Sequence, residues 1–143
     1  MRKLFMSALL VSALTAAGTA HALDRSQTPV VVSPLGKFST TASGKPITLP
    51  QKNVQVIVST YDIAPGAQLP VHKHPSARYA FVQAGTLEVT NVDAGKSTVY
   101  RTGDFIVEMI GEWHRAANIG PDAVKLLVID QIEEGTQNTI LQQ

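Results

Sequence analysis

The sequence has 143 residues, with 12 lysines and arginines against 11 aspartates and glutamates and no cysteine. Disulfides, thiolate chemistry and a sulfur-ligated metal are thereby excluded, and the near-balanced charge leaves no basic surface for a nucleic-acid backbone. At the amino end Arg2 and Lys3 precede an apolar run from Leu4 to about Ala17, followed by Ala20-His21-Ala22. These are the parts of a secretory signal peptide over residues 1–22, cleaved after Ala22. The run is shorter than the ~20 apolar residues that cross a bilayer and contains Ser7, Ser12, Thr15 and Gly18, so a membrane anchor is the poorer reading. Cleavage would leave residues 23–143 with a formal charge of −1. That is one domain, periplasmic or secreted and not membrane-bound.

Residues 23–52 read as N-terminal strands and loops. The β-branched run 28–33 (TPVVVS) predicts a first strand, and Ile47 and Leu49 a second short one ended by Pro50. Residues 53–63 (NVQVIVSTYDI) alternate as a strand, and Val56-Ile57-Val58, apolar on both faces, predicts partial burial on each. Pro65-Gly66 turns the chain into a strand over 70–74, which Pro75 ends because proline cannot donate to a ladder. The strand at 78–83 places Arg78, Ala80 and Val82 on one face and Tyr79 and Phe81 on the other. Further strands are expected at 86–92, 97–100, 105–110, 113–117 and 123–129, with Asp93-Ala94-Gly95 as a hairpin turn. Short strands between Gly, Pro, Asn and Asp, with no helical periodicity, predict an all-β sandwich or barrel over 53–132. The polar tail 133–143 reads as a frayed end in preference to an arm reaching a second subunit.

Three of the four histidines, His72, His74 and His114, fall in this domain, and His21 falls in the leader. Residues i and i+2 of a strand share a face, so His72 and His74 can present both imidazoles to one point, and His114 from a neighbouring strand would complete a tripod. Gly66, His72, His74 and Gly85, followed by Gly103, Gly111, His114 and Asn118, resemble the two sequence motifs of the cupin superfamily. The resemblance covers roughly residues 54–130 and implies a double-stranded β-helix, the jelly-roll cupin barrel. Two positions depart from the motifs: Arg78 stands where the family usually has a glutamate ligand, and Met109 where it has proline.

Three neutral imidazoles in a small barrel suit a divalent transition metal, Fe, Mn, Ni, Cu or Zn, with positions left open for water or substrate. The other reading of the three histidines is hydrogen bonding in a barrel that holds no metal. Arginine carries donors only and cannot ligate, so Arg78 is a candidate for holding an anionic substrate, or for pairing with Glu108. Glu108 could instead supply the missing carboxylate ligand, and a third reading turns both residues to solvent. Met109, as a soft side chain, joins Arg78 and Glu108 as a substrate-binding candidate, and Phe105, Val107, Ala80 and Val82 are expected as apolar lining. Trp113 should point away from the pocket, and Asn118 should be a turn residue. The resemblance implies a small-molecule partner and a homodimer. It leaves two functions open: an oxygenase for a small organic acid or phenol, or a non-catalytic periplasmic protein binding a small ligand or metal.

Overall fold

In a computed structural model, which describes residues 30–143, every regular element is a β-strand. The strands are β1 (Val54–Ile63), β2 (His72–Lys73), β3 (Ala77–Ala84), β4 (Thr86–Asn91), β5 (Lys96–Arg101), β6 (Phe105–Val107), β7 (His114–Asn118), β8 (Val124–Glu133) and β9 (Ile140–Leu141). They form two antiparallel sheets, ordered β1-β8-β3-β6 and β5-β4-β7-β2-β9. This is the jelly-roll arrangement, in which each sheet buries one face against the other.

The core follows from period-two patterning. Ala80 and Val82 of β3, Leu87 of β4, Ile106 of β6, Ala116 of β7 and Val124, Leu126 and Val128 of β8 form one buried cluster with Ile63. On β3 the expected split holds, with Arg78, Ala80 and Val82 buried and Tyr79 and Phe81 half-exposed. Along β8 the inward row runs Val124, Leu126, Val128, Asp130, Ile132, so an acid interrupts an otherwise apolar stripe.

Several expected elements differ. Of residues 28–33, Thr28 and Pro29 lie outside the described residues, as does the whole expected leader, and Val30 to Ser33 form no strand. Ile47 and Leu49 form none either; the nearest pairing is an isolated bridge between Thr40 and Pro46. The strand expected over 105–110 stops at Val107; the Glu108 amide still bonds to the Arg78 carbonyl, and Ile110 then forms an isolated bridge with His74. Val56, Ile57 and Val58 are 55%, 40% and 61% exposed rather than partly buried, because β1 is the outer strand of its sheet and pairs only with β8. The segment 133–143 is not frayed: Ile140 and Leu141 pair with Lys73 and His72, and the Gln142 amide donates to the Val71 carbonyl.

Gly85 marks the tightest approach. Its φ is +86°, and a Cβ there would lie 2.8 Å from the Ala123 carbonyl oxygen and 2.9 Å from Val124 Cα. An added methyl would strain the backbone and push β8 off the turn between β3 and β4. Gly85→Ala is therefore expected to lower unfolding free energy by about 1–3 kcal/mol in urea titration.

Candidate metal centre

The register of the five-stranded sheet assembles the histidines. His72 on β2 stands directly opposite His114 on β7. His74, two residues along, bridges Ile110, and its carbonyl accepts the Gly111 amide at 2.8 Å. Gly111 adopts φ +74°, which suits glycine and lets the chain reverse within three residues to deliver His114. The three rings lie with centroids 4.4–4.9 Å apart. His74 and His114 are almost wholly buried and His72 nearly so.

Each ring is fixed through Nδ1 by a backbone carbonyl: His72 by Pro70 at 2.7 Å, His74 by Asn138 at 2.5 Å and His114 by Glu112 at 2.9 Å. A carbonyl can only accept, so each Nδ1 carries the hydrogen, and in the neutral ring each Nε2 is left with a lone pair. Nε2 of His74 and of His114 are buried with no hydrogen-bond partner, although they lie 3.0 and 3.4 Å from the same Glu108 Oε2. Acceptors aimed at an acceptor are unfavourable by themselves and become favourable around a cation. One ligand atom from each of His72, His74, Glu108 and His114 lies within 4.8 Å of the others, a group that could hold a metal ion.

Glu108 thus joins the three histidines, as one of the sequence alternatives had it. The Glu108 amide donates to the Arg78 carbonyl at 2.9 Å, and Arg78 and Glu108 face each other across β3 and the end of β6. The acid missing from position 78 has in effect moved to the residue opposite on the next strand. Arg78 is a correction to two expectations: it is not turned to solvent, and its ion-pair partner is Asp130 rather than Glu108. Its Nε and Nη2 donate to Asp130 Oδ1 and Oδ2 at 2.7 and 3.0 Å, and Nη2 also reaches Thr139 Oγ1 at 3.3 Å. Asp130 and Thr139 thus engage Nε and Nη2 and hold the guanidinium plane in place. A row of alternating charge, Asp130, Arg78, Glu108, therefore crosses β8, β3 and the end of β6.

A cavity of about 30 Å³ adjoins the cluster, lined in part by Tyr61, Leu69, Arg78, Val89 and Leu126. Phe105, Val107, Ala80 and Val82, expected as lining, do not face it. Ala80 and Val82 pack in the core, and Phe105 stacks near Phe38 and Tyr79. Met109 is buried at a second cavity of about 240 Å³, bordered by Asn91, Lys96, Tyr100 and Glu112, and Val89 is common to both. Trp113 points away, with Lys73 Nζ 4.5 Å from its ring centre. Asn118 ties the following turn, donating to the Ile63 and Asp122 carbonyls and accepting from the Gly120 amide.

Two contributors escaped the sequence reading. Asp130 had a signal, since the β8 alternation continues through it, but the expected strand ended at 129. Asn138 had none: it sits in a polar tail, and only the fold brings its carbonyl to His74.

The model of the cupin domain matches residues 59–130, half of the chain, and the chain belongs to the cupin family. No curated protein matches it. Among solved structures it resembles the polyketide cyclase RemF from Streptomyces resistomycificus, at 18% identity and a TM-score of 0.52 over 62% of each chain. It also resembles DMSP lyase DddQ from Ruegeria pomeroyi, at 21% identity and TM-score 0.52, over 61% of this chain and 43% of that one. The oxalate decarboxylase of Lactobacillus farciminis matches at 21% identity and TM-score 0.51, over 60% of this chain and 26% of that one. At these identities the likeness is one of fold.

Electrostatics set an acid limit on the cluster. Burial, reinforced by the neighbouring imidazoles His114 and His74, lowers the His72 pKa to about 4. Burial would raise Glu108, but its close contacts with His114 and His74 and the nearby charge of Arg78 outweigh it and hold the carboxyl well below its ordinary range. A histidine titrating near 6.5 when unfolded and near 4 when folded binds more protons in the unfolded chain between those values. Its contribution is complete above about pH 6.5 and is lost as pH falls towards 4. The thermal midpoint of metal-free protein is expected to drop by roughly 5 °C or more between pH 7 and 4.5, and His72→Gln should flatten that part of the profile.

Proposed function

We propose that this chain is an exported cupin that holds one divalent first-row transition ion between His72, His74, His114 and Glu108 and acts on a small organic acid or phenol as an oxygenase. The observation that carries the reading is the trio of carbonyl-fixed imidazoles grouped with the Glu108 carboxylate, one ligand atom of each lying within 4.8 Å of the others. Three imidazoles and a carboxylate suit Fe(II), Mn(II), Ni(II), Cu(II) or Zn(II). Such an ion, when bound, supplies Lewis-acid chemistry, and redox chemistry if it is iron, at the positions the protein leaves open. The chain's own residues do the rest. Glu108 brings one negative charge into the ligand set, and Arg78, anchored by Asp130, keeps a positive charge on the cavity wall that favours an anionic group arriving there. The 30 Å³ chamber admits a water-sized molecule, and the 240 Å³ cavity sharing Val89 has room for the organic body.

The small chamber is also what favours a second reading, a non-catalytic periplasmic protein that captures an ion or small ligand, since little space beside the cluster is open to a substrate. Metal analysis of protein exported with its own leader, purified without nickel resin or chelator, tests the shared premise. Near-stoichiometric metal is expected, with Leu23 as the new amino terminus. A His72→Ala/His114→Ala variant should carry none, and Glu108→Ala should bind about tenfold or more weakly. Absence of metal both as purified and after reconstitution would overturn both metal readings. Oxygen uptake with aromatic or thiol acids, abolished by His72→Ala, supports the oxygenase. Ligand-induced thermal shifts without product support the binder.

The same reading includes a homodimer, with a second copy on the exposed edge of β1. Its unpaired backbone groups and exposed Val54, Val56 and Val58 make that edge a template for strand pairing. Light scattering is expected to give twice the monomer mass, and Val56→Lys/Val58→Lys to give the monomer.

A further inference from the structure

The segment around Asn138 does something for the site that its polar sequence does not announce. The Asn138 carbonyl accepts the His74 Nδ1 hydrogen at 2.5 Å. His72 and His114 are held differently, each by the carbonyl two residues before it in its own strand region, whereas the carbonyl on His74 comes from 64 residues away. That carbonyl is itself pinned. Asn138 is buried, its Nδ2 donates to Asp130 Oδ1 at 2.6 Å, and its Oδ1 accepts the Ser76 amide at 2.8 Å. On its far side Thr139 Oγ1 meets Arg78, and β9 then pairs with β2, the strand that carries His72. The segment therefore crosses the site as a strap, clamped by the Arg78–Asp130 pair and by the backbone between His74 and β3.

We propose that Asn138 is a positioning residue of the metal centre, whose clamped carbonyl fixes the His74 tautomer and ring orientation and whose side chain, held by Asp130 and Ser76, keeps that carbonyl in place. Of the four ligands only His74 depends on a distant segment, so this is where affinity can be lost without touching a ligand. Hydrogen-bond partners of ligating histidines set ligand basicity and direction, and their loss commonly costs 10–100-fold in metal affinity. Asn138→Ala leaves the carbonyl in the chain but removes both side-chain anchors, so the carbonyl drifts from His74.

The inference rests on the metal reading above, and its test separates the two. In metal-free full-length protein, imidazole 15N–1H spectra report the tautomer of each ring. The wild type is expected to show His72, His74 and His114 all protonated at Nδ1. In Asn138→Ala the His74 signal alone should be lost or shifted towards a mixture of tautomers. In parallel, titration with Co(II) alone is expected to show affinity about tenfold or more weaker in Asn138→Ala, with altered visible absorption of the bound ion. A wild-type His74 protonated at Nε2, or an Asn138→Ala protein whose His74 signal and Co(II) affinity are both unchanged, would overturn the proposal. If wild type takes up no Co(II), the metal reading falls and the tautomer spectra still decide the strap. Should Asn138→Ala fail to fold, Asn138→Ser, which keeps a short hydroxyl towards Ser76, carries the same comparison, and the wild-type spectrum alone remains decisive against.

Discussion

The site depends on a simple constraint: a backbone carbonyl cannot donate a hydrogen. Three carbonyls, from Pro70, Glu112 and Asn138, each claim one ring hydrogen, and in the neutral rings the opposite nitrogens are left presenting lone pairs. The short β2 strand, the reversal at Gly111 and the return of β9 across β2 can all be understood as the means of bringing those carbonyls to those rings. An isolated cluster of inward-facing acceptors would be a costly way to fill a barrel, which is why the geometry argues for a cation more strongly than the mere nearness of three histidines.

Around that cluster the charges are ordered. Asp130, Arg78 and Glu108 lie side by side on adjacent strands, so each charge has an opposite neighbour although two of the three side chains are buried. Removing one member would strand the next, and breaking such a buried pair typically costs about 3–5 kcal/mol. Arg78 is thereby committed to structure. Its guanidinium stands 6.0 Å from the Tyr61 ring centre and forms part of the cavity wall.

The sequence made the fold legible because glycine punctuation and period-two runs are local signals: β1, β3, β4, β5, β7 and β8 lie where the alternation places them. It made the histidine tripod legible because His72 and His74 stand two residues apart and His114 sits in a spaced motif. What it concealed was decided by pairing between distant segments. Whether Glu108 paired with Arg78 or reached the histidines hung on strand parity, and the fold sets its carboxylate beside His74 and His114. Residues 30–33 and 47–49 have strand-forming side chains but find no partner strand among the described residues, and β-propensity without a partner makes no sheet. The tail was misread for the converse reason, since its polar residues are buried by bonds to His74, Asp130 and Ser76 that no local pattern encodes.

The four side chains of the candidate metal centre are not all drawn from one layer. His72 and His114 belong to the five-stranded sheet, and Glu108 directly follows β6 of the four-stranded one. A cation among them would act as a rivet through the sandwich. The two sheets could not slide or splay apart without first breaking coordination, so occupancy would govern how fast the barrel opens as well as how stable it is at equilibrium. A protein outlasts proteases by rarely opening, so the rivet alone would prolong the life of the fold.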